Sequence, residues 1–341
     1  EWYKEWKTVD GSYEDTRFEA YDVLFKGMLA KDRILDIIKN FIVFEDNKPE
    51  DIKILAQYHQ YYAVKKAVVS TVEATQADGR AGVFWHTQGA GKSLSMVFYT
   101  KLLYRYLDNP TFVILTDRVG LDDQLYGQFS RVQRFLRQTP IQANTREHLK
   151  KLLDGVKANG IFFTTMQKFS ESDNPLSERT DIIVMTDEAH RSQYGLRERI
   201  GRDGTIQVGM ARIIRESLPN ASYIGFTGTP IFAVNASRGG RIDLSTTEQA
   251  FGDKLHTYTI VDAINDKNVL PFRIEYIRTM REEENIKDVK VWDIDRERAL
   301  ASPERIKNVV TYIREHFDQK TKRNSFYKLK DRRLAGFNSI F

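Results

Sequence analysis

Cysteine is absent from all 341 residues, so the chain holds no disulfide and no zinc–thiolate centre, and any metal must sit on oxygen or nitrogen ligands. Long apolar runs are missing too: none reaches the roughly 18 residues that a membrane-spanning helix needs. The opening residues, Glu1-Trp2-Tyr3-Lys4-Glu5, lack the character of a signal peptide, and a cytoplasmic location is expected. No low-complexity tract or internal repeat is evident, and nothing in the make-up points to disorder. With 41% hydrophobic and 29% charged residues, the chain can bury one large core or two moderate ones. Its formal charge of +5 and pI near 9.0 agree with a polyanionic partner, but many proteins without one share such values. An initiating Met is also lacking, and the chain ends on the apolar run Ala335-Gly336-Phe337-Asn338-Ser339-Ile340-Phe341. That run reads as a strand parted from its sheet, so a piece of a longer protein is expected.

What is present is a recurrence of short β-branched and aromatic runs separated by helix-length segments, the pattern of an α/β fold with a mostly parallel sheet and helices on both faces. Five strands stand out: Val83-Phe84-Trp85, Phe112-Val113-Ile114-Leu115, Ile161-Phe162-Phe163-Thr164, Ile182-Ile183-Val184-Met185 and Tyr223-Ile224-Gly225-Phe226. All are apolar nearly throughout, as strands covered on both faces should be. Each runs into polar residues or glycines at its carboxyl end, where open α/β sheets bind ligands. Ahead of them, Arg33 to Phe44 and Lys53 to Val72 are expected to be helical, with Ile34, Ile37, Ile38 and Phe41 at helical spacing. Beyond about Pro271 the strand and helix order loosens. Pro303 to Phe317 then reads as an amphipathic helix before the basic stretch Lys320 to Arg333.

The first strand leads into His86-Thr87-Gln88-Gly89-Ala90-Gly91-Lys92-Ser93, which opens a helix; strand, loop and helix together are the context of a P-loop. Gly89 and Gly91 let the backbone around Ala90 turn tightly and aim N–H groups at phosphates, aided by the positive end of the helix. Lys92 would bridge the β and γ phosphates of ATP, and Ser93 would offer its hydroxyl to Mg²⁺. The strict pattern asks for glycine where His86 stands. The fourth strand ends in Asp187-Glu188-Ala189-His190: Asp187 would complete the shell around Mg²⁺, Glu188 would orient or deprotonate the attacking water, and His190 would sense the nucleotide. The last strand ends in Thr227-Gly228-Thr229-Pro230, which is either an ordinary turn or a movable link between the nucleotide site and a second site.

In the order P-loop, Asp-Glu-Ala-His, Thr-Gly-Thr, these motifs resemble the first RecA-like domain of a superfamily 2 helicase or translocase. The runs Phe84 to Ser93, Asp187-Glu188-Ala189-His190-Arg191-Ser192-Gln193-Tyr194-Gly195 and Phe251-Gly252-Asp253-Lys254-Leu255-His256 are similar to the motor subunit of type I restriction endonucleases, and the resemblance covers most of the chain. It implies a connector over 1–50 after a nuclease domain, a RecA-like motor domain over 51–270, and a linker with the start of a second RecA-like domain over 271–341. It implies an ATP-driven double-stranded DNA translocase using Mg²⁺, working with specificity and methyltransferase subunits.

Within Tyr58-His59-Gln60, otherwise a helix surface, the resemblance makes Gln60 the residue that holds adenine. It makes Thr116, Asp117 and Arg118, with Thr164, Thr165, Gln167 and Lys168, the residues that grip one DNA strand, a role in which hydroxyls, N–H groups and basic side chains contact phosphates without reading sequence. Without the resemblance, those loops read equally as helix caps. No nuclease site is assigned, because Glu5-Trp6-Lys7 lacks an upstream Asp. The second domain would supply an arginine finger worth about 10³ to 10⁵ in rate, so this stretch alone is expected to bind nucleotide and hydrolyse it poorly. Other superfamily 2 motors, such as type III restriction or remodelling motors, are the nearest rivals. A small-metabolite kinase would need an arginine-bearing lid and an acceptor pocket, and a DNA-binding scaffold would keep ATP as a structural ligand.

Overall fold

The computed structural model describes residues 5–12, 20–46, 52–117, 119–155, 159–169, 175–192, 199–200, 206–207, 210–230, 247–272, 301–321, 326–329 and 332–335. The chain divides into two compact units, 1–271 and 272–341.

In the first unit the principal helices are α1 (Lys31–Asn40), α2 (Tyr58–Ala74), α3 (Lys92–Tyr106), α4 (Val119–Arg131), α5 (Arg146–Gly155), α6 (Ala189–Ser192), α7 (Met210–Ser217), α8 (Thr247–Phe251) and α9 (Ile260–Asn265). Its strands are β1 (Ile42–Glu45), β2 (Ile52–Leu55), β3 (Arg80–His86), β4 (Thr111–Thr116), β5 (Ile141–Gln142), β6 (Ile161–Thr165), β7 (Ile182–Asp187), the short pair β8 (Arg199–Ile200) and β9 (Ile206–Gln207), β10 (Ser222–Thr227) and β11 (Lys254–Tyr258). Seven of these form one sheet in the order β11-β3-β10-β7-β4-β6-β5, and every pairing in it is parallel.

The two-residue period of the strands sorts their side chains onto opposite faces. Phe112 and Ile114 of β4, Ile161 and Phe163 of β6, Ile183 and Met185 of β7, and Ile224 and Phe226 of β10 join one buried cluster with α2, α3 and α4. The alternate residues Val113, Leu115, Phe162, Ile182, Val184 and Tyr223 join a second cluster with α5 and α7. Helices therefore cover both faces, as expected for a doubly wound α/β domain, and all five expected strands lie within β3, β4, β6, β7 and β10.

Two helical expectations need correction. Residues 42–44 and 53–55, read as parts of helices, lie instead in the antiparallel strands 42–45 and 52–55, with Ile42 opposite Leu55. Ile42-Val43-Phe44 and Ile52-Lys53-Ile54 are rich in β-branched residues, which fit a pleated ladder better than a helix. Helix α2 can begin only at Tyr58, because the Gln57 backbone N–H is capped by the Gln60 side chain at 2.8 Å. The edge strands β5 and β11 were not foreseen. Trp6, Val23, Ile37, Phe41 and Val43 share the main cluster, so the first 46 residues contribute directly to the core.

The second unit contains α10 (Pro303–Thr321) and an antiparallel hairpin of β12 (Phe326–Leu329) and β13 (Arg332–Ala335). The expected terminal strand over 335–341 lies outside the described residues except for Ala335.

Phe163 is fully buried and packs edge-on against Tyr126 and Phe129, with centroids 5.5 and 5.2 Å away. Phe163→Ala should lower unfolding free energy by about 3–5 kcal/mol through lost burial and a residual cavity. Urea unfolding checks this; an unchanged midpoint would contradict the packing described.

Candidate functional site

The phosphate loop hangs between the end of β3 and the start of α3. Gly89 and Gly91 have φ of +81° and +74°, conformations that a side chain strains. Gly91 has a second constraint: a Cβ there would lie 2.6 Å from the Gln60 Nε2. Two side chains of α2 grip the loop from behind: His59 Nε2 meets the Ala90 carbonyl at 3.0 Å and Gln60 Nε2 donates to the Gly91 carbonyl at 3.0 Å. The Lys92 ammonium donates to the carbonyls of His86 and Thr87 at 3.2 and 3.4 Å. Ser93 follows on the first turn of α3, partly buried.

His86 is fully buried and explains how the loop manages without glycine at that position. As the last residue of β3 it needs no unusual backbone, and its Nε2 lies 2.9 Å from His256 Nδ1 on the neighbouring strand β11. Burial, reinforced by His256, His59 and Lys92, holds His86 far below the usual imidazole range. Burial, then Lys66 and His59, depresses His256 to about 3. Both rings are therefore neutral at physiological pH. His59 stacks on Tyr258 of β11, with centroids 3.8 Å apart and planes 12° from parallel, and the Tyr258 carbonyl accepts from the Thr87 N–H at 2.9 Å.

Strand β10 lies between β3 and β7, setting Phe226 beside Asp187 and Thr227 beside Trp85. That neighbour relation gathers three motifs at the carboxyl ends of adjacent strands. Asp187 is partly buried; its enclosure and then the repulsion of Glu188 raise its carboxyl from 3.8 to about 6, against the opposing pull of Lys92. Glu188 has φ of +47°, a left-handed backbone that a non-glycine residue adopts at a cost and that clusters at functional sites. Its Oε2 lies 3.5 Å from His190 Nδ1, and the same nitrogen is 2.9 Å from Thr227 Oγ1 and 3.3 Å from Thr229 Oγ1. The Gly228 carbonyl accepts from Trp85 Nε1 at 3.1 Å. The Thr-Gly-Thr turn is thus bonded to the acidic motif through His190 and to β3 through Trp85.

Gln60 stands beside the loop but has both amide ends engaged, Oε1 with the Gln57 N–H and Nε2 with Gly91; a bidentate adenine contact would require exchanging them. Of the residues read as a DNA grip, Thr116, Thr164 and Thr165 are buried at the ends of β4 and β6. Gln167 is exposed and donates to the Asp117 carbonyl at 2.5 Å, while Lys168 donates to the Ala143 carbonyl at 2.7 Å. The first bond joins the loops after β4 and β6, and the second ties the β6 loop to the residue after β5. Arg118 lies outside the described residues. Among the described residues no group of three or more His, Asp or Glu could hold a metal ion. Sequence reading missed His256 and Tyr258; only a hint lay in the run Phe251 to His256.

A glycine-turned loop backed by a helix, a lysine on the first residue of the helix that follows the loop, and an acidic pair at the end of a strand separated from β3 only by β10 define a P-loop ATPase. The SWI2/SNF2 ATPase family model matches residues 59–305, and the chain belongs to that family. It is 40% identical over 338 residues to the type I restriction enzyme HindI endonuclease subunit of Haemophilus influenzae, covering 92% of this chain and 31% of that subunit. It is 29% identical over 321 residues to the SsaAORF53P endonuclease subunit of Staphylococcus saprophyticus, covering 92% of this chain and 32% of that one. The chain thus spans about a third of the length of these curated relatives. A solved structure of the ATP-dependent Type ISP restriction-modification enzyme LlaBIII bound to DNA is similar at a TM-score of 0.42 and 14% identity, covering 65% of this chain and 16% of that one.

Because Asp187 binds its proton more tightly when folded than when unfolded, it adds stability at low pH that is lost as pH rises from about 4 through 6. Asp187→Asn should therefore raise the melting temperature of the nucleotide-free protein by a few degrees at pH 7.5, the gain shrinking towards pH 4. Calorimetry across that range checks it; a gain independent of pH would contradict the assigned cause.

Proposed function

We propose that this chain is the ATP-binding part of a double-stranded DNA translocase, the motor of a type I restriction endonuclease subunit. The observation that carries the reading is the placement of Lys92 and of the Asp187–Glu188 pair beyond the carboxyl ends of β3 and β7, which β10 alone separates, with Lys92 close enough to pull the Asp187 proton affinity down. The N–H groups of the Gly89–Gly91 turn and of α3 would cradle the triphosphate of ATP, with Lys92 moving from the His86 and Thr87 carbonyls to the β and γ phosphates. A carboxyl held up at about 6 is one that gains from a nearby cation, and Ser93 with Asp187 supplies the hard oxygen ligands that Mg²⁺ prefers. Bound there, Mg²⁺ would neutralise charge on the transferring phosphoryl group.

Glu188 would orient and deprotonate the attacking water. His190, whose Nδ1 lies against Glu188 and both threonines of the turn, would carry the state of the γ phosphate to Thr227, Gly228 and Thr229. The loops after β4 and β6 would hold one DNA strand by its phosphates. A second motor domain would close on the nucleotide with its arginine, so residues 1–341 alone would turn over slowly. Specificity and methyltransferase subunits would choose the site, and a nuclease domain elsewhere in the same subunit would cut. Among the described residues no helix is long and apolar enough to cross a membrane.

Lys92→Ala in the full-length subunit, assembled with its partners, should reduce DNA-stimulated ATP hydrolysis and translocation by on the order of a hundredfold or more. Triplex displacement on a linear duplex reads translocation directly, and undiminished displacement would reject the site.

A further inference from the structure

At the far end of the sheet from the phosphate loop lies a basic surface that none of the motifs includes. Helix α3 starts at Lys92 beside that loop and rises about 1.5 Å per residue, which places Lys101 and Arg105 about 14 and 20 Å along its axis, near the amino end of β4. There the short helix Gln133–Leu136 packs against it. Phe135 stands edge-on to Phe98 at a centroid distance of 6.0 Å, and Lys101 Nζ lies 5.3 Å from the centre of the Phe135 ring. Beside this contact Gln133, Arg134, Arg137, Gln138 and Thr139 line an open cavity of about 550 Å³.

Three features distinguish this surface from an ordinary solvated helix face. Lys101 and Arg105 stand four residues apart on α3, where like charges repel, and burial, then Arg137 and Arg105, lower the proton affinity of the Lys101 amine. Arg134 pairs with Asp46 at 3.1 Å, but among the described residues no carboxylate pairs with Lys101, Arg105 or Arg137. Arg137 also has a left-handed backbone, with φ of +57°, at the helix-end position that glycine usually takes; an arginine occupies it at a conformational cost. Three cations gathered without a counter-ion give the fold nothing by themselves, whereas an anion seated among them offsets their repulsion.

We propose that Lys101, Arg105 and Arg137, with the cavity beside them, form a second contact for the phosphate backbone of duplex DNA, separate from the loops after β4 and β6. Those loops lie beyond the carboxyl ends of the sheet and this surface lies near its amino ends. A duplex that reaches both is held at two points, about four to six base pairs apart at a rise of roughly 3.4 Å each. The residues lining the cavity are cations and neutral donors with no apolar side chain among them. That mixture suits phosphate oxygens, which accept from amides and hydroxyls as well as from cations, and not the apolar centre of a protein interface. Contacts of this kind carry no sequence information, as movement along any DNA requires.

Fluorescence anisotropy of a labelled linear duplex with the full-length protein, over a range of salt concentrations, reads the contact. Counterion release makes the logarithm of affinity fall with that of salt, by a slope of about 0.9 for each phosphate contacted. The double variant Lys101→Gln with Arg137→Gln should flatten that slope by about 2 and weaken binding roughly tenfold at moderate salt, equally for unrelated sequences. Arg137→Gly removes one contact and relieves the left-handed backbone, so it should flatten the slope by about 1 while melting no lower than wild type. Affinity for fluorescent mant-ATP should stay at the wild-type value in both. An unchanged slope in either variant overturns the proposal, as does an equal change in Lys150→Gln, which removes an exposed cation from α5 on the opposite face of the sheet. Variants that bind DNA as wild type does but assemble less well with the partner subunits identify an acidic protein surface as the occupant, and overturn it too. A wild-type protein without affinity for duplex DNA overturns the translocase reading, on which this inference rests, and the inference with it.

Discussion

A peptide N–H can point at a phosphate only if the carbonyl across the same planar bond points away from it. The Ala90 and Gly91 carbonyls meet that condition because His59 and Gln60 hold them from behind, which turns the N–H groups of Gly91 and Lys92 toward the open side of the loop. Everything else in the site depends on this bracing. It requires α2 to lie under the loop, which the capping of Gln57 by Gln60 arranges. It requires left-handed backbone at Gly89 and Gly91, and it requires β11 as a floor, since the Thr87 N–H and the His59 ring both rest on Tyr258.

The sheet order supplies the second half of the site. Because β10 is threaded between β3 and β7, the acidic pair stands two strands along from the phosphate loop with the Thr-Gly-Thr turn between them. A turn so placed is bonded to both neighbours, through His190 on one side and Trp85 on the other. Glu188 reaches His190 from a left-handed backbone, so any movement of Glu188 toward a water has a direct mechanical route to the turn. The enclosure that raises the Asp187 carboxyl belongs to the same geometry: a strand end covered on both faces cannot hydrate two adjacent carboxylates well.

The central strands and the two ATPase motifs were legible because their signals are local. An apolar run of four residues between polar breaks identifies a doubly covered strand, and Gly89 to Ser93 after such a run identifies the loop. The hairpin of β1 and β2 was misread because Ile34, Ile37, Ile38 and Phe41 mark a real helical face that stops at Asn40, and nothing in the spacing shows where. Strand β11 alternates too weakly to stand out, and with it the partners of the loop were lost. His256 lies 170 residues from His86, a separation at which only the fold makes neighbours. The resemblance makes the threonines at 116, 164 and 165 DNA contacts, and their burial at the strand ends is set by the sheet rather than by anything in their local spacing.

The histidine at position 86 joins these two kinds of information. By pattern it is a defect, a bulky residue where a glycine is asked for. In the fold it occupies extended backbone at the end of β3, so the conformational freedom of glycine would gain nothing there. Its ring instead ties β3 to β11 through His256, and burial keeps both rings uncharged, which a site meant to attract a polyphosphate does not obviously need. What the proposed function does need is a floor that would stay put were Lys92 to leave the His86 carbonyl for a phosphate. A neutral imidazole pair bonded beneath that carbonyl provides it, because its own hydrogen bond is independent of the lysine and survives the exchange.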